Sequence, residues 1–460
     1  MDMVETEAMR ALATLAAEFD RLPTRRWRGE IRSAAGMTLE VDGLQRVLSV
    51  GDKCHAETLR GGRVLCETIG FRNGRSLLMA FDSLDGVAEG CGAVTDDTAF
   101  TLRPGPGWLG RVVNALGEPI DGKGPLANGE HPRPLRQPPP AACARRRVGR
   151  RLDSGIRVID SFVPLCRGQR LGVFAGSGVG KSTLLAMVAR HAEADAIVIG
   201  LIGERGREVR EFIQDDLGPE GLARAIVIVA TSDEPPLMRR QAALLTMTVA
   251  EEMRDQGRHV LCLMDSVTRF AMAQREIGLA AGEPPTAKSY PPSVFAELPR
   301  LLERAGPGPE DGGPDGGGNG DITAIFTVLV DGDDHDEPIA DAVRGILDGH
   351  LVLDRKIAEQ GRYPAVNLLR SVSRSLPGCH DARENRIVGR TRALAASYDG
   401  MKEMIRLGAY KRGTDPETDA AIDLHPQLED FLRQGKDDPS PSADSFARLE
   451  SLLAAIGDHP

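Results

Sequence analysis

Apolar positions recur along this chain in three successive rhythms. Met9, Leu12, Ala16 and Phe19 fall three to four residues apart, the spacing of one face of a short amphipathic helix, and predict a helical segment within residues 1–25. Such a helix can pack on its own domain or dock another protein. From Arg26 to Thr101 the period shortens to two. IRSAAGMTLEVDG, KCHAETLRGG, RVLCETIGFRNG and RSLLMAFD are short alternating stretches punctuated by Gly-Gly, Asn-Gly and Asp-Gly turns, predicting a small β-barrel or sandwich over 26–101. From Arg170 to about Arg355 the apolar runs RLGVFA, AIVIGLI, AIVIVAT, HVLCLM and ITAIFTVLV alternate with helical stretches, as a mostly parallel α/β sheet requires.

The connecting segments carry their own signals. After Pro104 the chain is turn-rich and reaches RPLRQPPPAACARRRVGRRLDSG, whose three consecutive prolines predict an extended belt across the next domain. Its arginines, Arg145 to Arg147 with Arg150 and Arg151, have no interleaved aromatics and read as a solvated or subunit-facing patch rather than a nucleic-acid surface. Gly306 to Asp321, GPGPEDGGPDGGGNGD, is too rich in Gly and Pro to pack and predicts a mobile loop. Beyond Pro377 the pattern turns helical, with IVGRTRALAASYDGMKEMIRLG as its longest periodic stretch, and closes in a polar tail containing Pro and Ser. The expected units are 1–25, 26–101, an α/β domain over 102–377 and a helical domain over 378–460.

Composition narrows the class. A length of 460 residues suggests about three domains. The 41% hydrophobic and 27% charged content is that of an ordinary soluble protein. The sequence shows no signal peptide and no run of 18 apolar residues, so it reads as cytosolic, with docking on a membrane complex left open. A net charge of −10 argues against broad nucleic-acid binding. The seven cysteines, 54, 66, 91, 143, 166, 262 and 379, form no CxxC pair and fit reduced thiols in core positions better than a zinc site or disulfide framework. The nine histidines show no ligand spacing, and no transition metal is assigned.

The sharpest chemical signal is AGSGVGKST, Ala175 to Thr183. It fits the phosphate-binding pattern GxxxxGK[ST] except that Ala175 stands for the first glycine. Gly176, Gly178 and Gly180 let the backbone wrap phosphate oxygens, and the N–H groups through Ser177, Val179 and the following helix start favour the anion. Lys181 would reach the β/γ-phosphates and the Ser182 hydroxyl would bind magnesium. The context is right: the apolar strand VFA before the loop and the helix STLLAMVARHA after it. Two acids then fall at strand ends, where ligands of such sheets sit. AIVIGLI runs into GERGREV, placing Glu204 to orient or deprotonate water, with Glu208 one turn on; HVLCLM runs into Asp265, placed to support magnesium through water. A strand-end acid can be only a helix cap, but a phosphate loop in the same sheet favours chemistry. Without the guanine signature NKxD, ATP is the better substrate.

Taken together, FAGSGVGKST, LIGERGREVREF, LMDSVTRFA, YPPSVFAELPRLLERAG and GRYPAVNLLRSVSR resemble the catalytic subunits of rotary ATP synthases and their export relatives over nearly the whole chain. GERGREVREF, VLVDGDDHDEPIADAVRGILDGHLVLDR and GAYKRGTDPE are most similar to the flagellum-specific type III export ATPases. The resemblance implies a RecA-like P-loop core between an N-terminal β-barrel and a C-terminal helical domain. It implies Glu204 as catalytic carboxylate, Arg205 at the phosphates, Glu208 holding water near magnesium, Tyr363 stacking adenine, and Arg374 as an arginine finger reaching the neighbouring subunit of a homo-hexamer. It further implies a stator-like regulatory protein at the N-terminal helix, export chaperone–substrate complexes, a membrane export gate and a stalk protein as partners, with the enzyme peripheral to the secretion apparatus. A virulence type III secretion ATPase is the rival within that family. An RNA translocase resembling Rho predicts a basic, aromatic barrel, whereas this one reads CETIGFRNGRSLLMAFDSLDG and the chain is 4% aromatic. A non-catalytic nucleotide-binding subunit would lack the base that Glu204 supplies.

Overall fold

A computed structural model of the chain describes residues 25–96, 100–310, 320–330 and 337–457. The expected N-terminal helix lies outside the described residues. Six strands, β1 (Arg26–Ala35), β2 (Thr38–Asp42), β3 (Lys53–Glu57), β4 (Arg63–Arg72), β5 (Arg75–Ala80) and β6 (Gly92–Asp96), close into a barrel in the order β1-β2-β5-β4-β3-β6. Closure leaves no sheet edge open and decides between the barrel and sandwich that alternation alone left open. Ile31, Leu39, Val41, Cys54, Cys66 and Leu78 fill it. The Asn-Gly signal is a two-residue hairpin: Asn73 and Gly74 both take positive φ, 50° and 74°, between the paired Arg72 and Arg75.

The central sheet runs through β7 (Val112–Asn114), β8 (Arg170–Ala175), β9 (Ala196–Glu204), β10 (Ala225–Thr231), β11 (His259–Asp265), β12 (Asp321–Leu329), β13 (Gly349–Leu353) and β14 (Val372–Ser373). Their spatial order is β14-β13-β8-β12-β11-β9-β10-β7, parallel throughout except for β14. Parallel strands carrying helices on both faces are buried on both sides and read as continuous apolar runs, which is why AIVIGLI and HVLCLM lack alternation. In β11, Val260, Cys262 and Met264 face one layer and Leu261 and Leu263 the other.

The helices that matter here are α1 (Lys181–His191), α2 (Gly206–Glu211), α3 (Pro236–Asp255), α4 (Val267–Ala281), α5 (Pro292–Leu302), α6 (Ala382–Arg406), α7 (Pro416–Leu432) and α8 (Ser442–Ala455). Helices α3, α4 and α5 cover one face of the sheet; α1 and the C-terminal helices share the core on the other. Phe431 of α7 meets Phe162 edge-on, ring centroids 6.4 Å apart. Among the described residues no helix is long and apolar enough to cross a membrane.

Three expectations need correction. The polar C-terminal tail contains helix α8, because Phe446, Leu449 and Leu453 share one helical face and are buried. The arginine cluster is not a solvated patch as a whole. Arg145 donates to the carbonyls of Glu303 and Ala305, Arg146 to Gly320 and the Asp321 carboxylate, and Arg151 to both oxygens of Glu384; Arg147 and Arg150 stay exposed. The belt forms only two-residue ladders, at Arg133–Pro134 and Arg151–Leu152, so its long donors fasten the rest of it to element ends. The Gly-rich stretch packs at both ends, where Gly306 and Pro307 pair with Ile322 and Asp321; its centre, 311–319, lies outside the described residues.

Candidate functional site

The phosphate loop leaves β8 at Ala175, whose side chain is buried in the core beneath it, so the departure from glycine costs no room in the loop. Ser177 and Gly178 are exposed at the crest, Gly176 and Val179 are buried, and the Val179 side chain anchors the loop. Gly178 and Gly180 take φ of 76° and 87°, the left-handed region that only glycine enters freely. Gly180 opens α1 with no side-chain cap. The first amides of Lys181, Ser182 and Thr183 are therefore left for an anion.

Four adjacent strands bring the chemistry together. In spatial order across the sheet these are β8 with the loop, β12, β11 with Asp265 and β9 with Glu204. Lys181 Nζ lies 3.2 Å from Glu204 Oε1 and 2.5 Å from Asp265 Oδ1, and Thr327 Oγ1 donates to that same Asp265 oxygen at 2.7 Å. Burial alone would lower the Lys181 ammonium, but the Asp265 and Glu204 charges outweigh it and hold the lysine charged. Burial and then the Asp265 charge push Glu204 up to about 7, against the opposing pull of Lys181. A proton acceptor near neutrality suits general-base work.

Local backbone explains the aim of Glu204. The pairing of β9 with β10 slips between Ile202 and Glu204, a bulge at Gly203, whose φ is 71°. Bulges beside active sites redirect a side chain. A Cβ at Gly203 would also lie 2.9 Å from Arg269 Cβ, so glycine is required twice over. Arg269 was not singled out from the sequence, although it stands inside LMDSVTRFA, one helical turn past Asp265. It lines the same cavity of about 470 Å³ as the loop, Glu204, Arg205, Glu208 and Ser232, and its Nε makes no hydrogen bond. That spacing is the signal that could have revealed it.

The remaining candidates are more dispersed. Arg205 and Glu208 pair at 3.6 Å on the exposed rim formed by α2. Tyr363 is 44% exposed beside the loop rather than in the core, its ring 3.2 Å from where a Gly180 Cβ would stand. Arg374 is exposed and follows β14; its N–H bonds Asp348 O at 2.9 Å, and its side chain makes no hydrogen bond or ion pair among the described residues. It does not line its own chain's phosphate cavity. The Ser182 hydroxyl and the Asp265 carboxylate are hard oxygen donors, a set that fits magnesium and not a softer metal.

Two family models match the chain: "ATP synthase alpha/beta family, nucleotide-binding domain" over residues 155–373 and "T3SS EscN ATPase C-terminal domain" over 381–451. The chain is 55% identical to a flagellum-specific ATP synthase of Caulobacter vibrioides over 96% of its own length and 99% of the relative's. It belongs to the type III export ATPase family. This export ATPase is also 43% identical to a type 3 secretion system ATPase of Xanthomonas euvesicatoria, over 99% of its length and 98% of that relative's. The solved structure of the assembled ATPase EscN of the enteropathogenic E. coli type III secretion system superposes with a TM-score of 0.83 at 37% identity, covering 92% of this chain and all of that one. The export ATPase is thus an ATP-hydrolysing enzyme related to ATP synthase, with the barrel, P-loop core and helical end expected for it.

Proposed function

We propose that this export ATPase hydrolyses ATP at sites shared between neighbouring copies of a homo-hexameric ring, and that turnover drives flagellar type III export by releasing chaperones and unfolding cargo at a membrane gate. The observation that carries the shared site is the position of Arg374, an exposed cation without a partner among the described residues and outside its own phosphate cavity. Backbone amides of 176–183 would hold the phosphates while Lys181 exchanges its two carboxylates for phosphate oxygens. That exchange frees Asp265 and Glu204. Ser182 directly and Asp265 through water would hold magnesium, which when bound neutralises phosphate charge. Glu204 orients the attacking water and takes its proton, with Glu208 steadying that water. Arg205 and Arg269 face the phosphates, and Tyr363 stacks on adenine. Arg374 of the adjacent copy meets the charge that develops in the transition state.

The wider assignment follows the family. EscN has been solved in complex with its central stalk EscO, which supports a stalk partner here. A stator-like protein at the N-terminal helix, chaperone–cargo complexes and a cytoplasmic location docked at the secretion apparatus complete the reading, with no nucleic acid. The flagellar assignment is supported by flagellar relatives at 43 to 55% identity beside a type 3 secretion system ATPase at 43%. Loss of motility on deleting the gene supports it, and intact motility with lost effector secretion replaces it with the virulence role. The shared site is tested by measuring specific ATPase activity against protein concentration alongside particle mass. Activity should rise with the ring population, and a fully active single chain defeats the proposal.

A further inference from the structure

Arg374 follows a very short strand. β14 is two residues long and ends the sheet, and its register on β13 comprises only His350 opposite Val372 and Gly349 opposite Ser373. A pairing of that length supplies few ladder bonds. Backbone that presents a long charged side chain at a fixed place therefore needs support from packed side chains and their hydrogen bonds. Much of that support comes from Gln169, which stands immediately before β8 and which the sequence pattern does not single out.

Gln169 is fully buried, and both polar atoms of its side chain are engaged. Its Oε1 accepts the Cys166 N–H at 2.8 Å, while Nε2 donates to Ser373 Oγ at 2.9 Å and to the Asp348 carbonyl at 3.2 Å. The buried Ser373 hydroxyl donates in turn to the Pro164 carbonyl at 2.8 Å. The Asp348 carbonyl is the one that accepts the Arg374 N–H at 2.9 Å. One amide thus grips the residue before Arg374 and the group that holds the backbone of Arg374 itself. Asp348 is fixed as well, its carboxylate accepting from the backbone N–H and the guanidinium of Arg170 at 3.1 Å. Beside it, a Cβ at Gly349 would lie 2.5 Å from the Val372 carbonyl, so the glycine lets β13 and β14 close up.

We propose that Gln169 and Ser373 are positioning residues for the arginine that one copy lends to its neighbour. They fix the backbone from which Arg374 extends, and so govern the rate of hydrolysis at a site whose phosphate loop belongs to another chain. The proposal rests on reading Arg374 as the group that completes that site. Neither side chain lines the phosphate cavity of its own chain. The six residues of β8 separate Gln169 from its own phosphate loop, roughly 20 Å at the rise of a strand, so loosening this clamp acts on Arg374 first. A guanidinium that meets developing charge must be in place beforehand, and a displacement of about 1 Å can cost about 10²-fold in rate. ATP stays gripped by an intact loop, so the loss falls on kcat and leaves KM unchanged.

The test uses the full-length variants Q169L and S373A. S373A is the milder, since it leaves Gln169 its bond to the Asp348 carbonyl, and it carries the test should Q169L fail to fold. Each should assemble to the parent's particle mass, keep the parent's KM for ATP and lose about tenfold or more in kcat. Mixing then places the defect. S373A mixed with Glu204→Gln should regain activity, because S373A copies bring intact phosphate cavities and Glu204→Gln copies bring a correctly held Arg374. S373A mixed with Arg374→Ala should regain none. A residue that merely supports its own chain's cavity gives the reverse pattern. That reversal, an unchanged kcat or a raised KM overturns the proposal. Arg374→Ala mixed with Glu204→Gln is the control. Recovery there without recovery for S373A condemns the clamp alone, whereas no recovery in either mixture locates the failure in the reading of Arg374 and takes the clamp with it.

Discussion

Lys181 sits between two carboxylates that are each placed for a different task, so its replacement acts on more than one of them. Lys181→Ala removes the cation that would meet the β/γ-phosphates and leaves Glu204 and Asp265 facing each other without compensation. Truncating one member of a buried charged cluster costs about 2–5 kcal/mol of binding, and titration with a fluorescent ATP analogue should show a loss of that size. Glu204→Gln keeps the shape and the hydrogen bond but removes the proton acceptor. General-base assistance is worth about 10²–10⁴ in rate. Single-turnover assays of Glu204→Gln should therefore show bound ATP that is hydrolysed slower by that factor, and a twofold effect excludes Glu204 as the base.

At the scale of elements, buried charge holds the layers in register. Arg304, fully buried after α5, donates to both oxygens of Glu251 on α3, to Thr248 and to the belt carbonyl of Leu135. Arg304→Ala strands Glu251 without its partner and should cost about 3–5 kcal/mol, read from the urea midpoint. A second buried group sits where the helical end meets the sheet. Asp160 accepts from the N–H and hydroxyl of Ser154, while its other oxygen faces no donor and lies against Asp153. Burial, with Asp153 opposite, keeps its carboxyl protonated well above the usual carboxylate range. A raised carboxyl binds a proton in the folded chain that the unfolded chain has released, so its contribution is lost as pH rises towards the folded value. Asp160→Asn puts an amide donor where that proton sits and removes the slope. Thermal melts should show the variant matching the parent below about pH 4 and exceeding it increasingly as pH rises towards neutrality.

At the scale of the whole molecule, Arg374 does not line the phosphate cavity of its own chain, and the proposed shared site gives it the neighbouring copy's cavity instead. Identical copies can therefore complete each other. An arginine finger is worth about 10³–10⁵ in rate, or about 4–7 kcal/mol of barrier, so an isolated chain should be nearly idle and assembly acts as the switch. Arg374→Ala and Glu204→Gln should each be inactive alone. Mixed rings contain interfaces where an intact Glu204 meets an intact Arg374, so partial activity should return on mixing. Mixed rings that form and stay inactive, with particle mass as the check, rule out a shared site.

Much of this was legible before any coordinates. The phosphate loop is a local object, nine consecutive residues whose glycines and lysine carry their geometry with them. The strands that end at Glu204 and Asp265 announce themselves because a sheet buried on both faces needs uninterrupted apolar runs. Helix α8 was legible too, in the spacing of Phe446, Leu449 and Leu453, but the surrounding Pro and Ser obscured it. What the amino-acid order could not convey was proximity between distant segments. Barrel rather than sandwich depends on which edge strands pair, β1 with β6, and alternation is the same in both. The capture of Lys181 by two acids depends on strand order within the sheet. The anchoring of Arg145 and Arg146 and the pairing that sets the bulge aiming Glu204 join residues whose sequence neighbourhoods are silent about one another. Periodicity and motifs report energies that act along a few turns of chain, whereas burial, pairing and charge compensation act through space and exist only once the layers have packed.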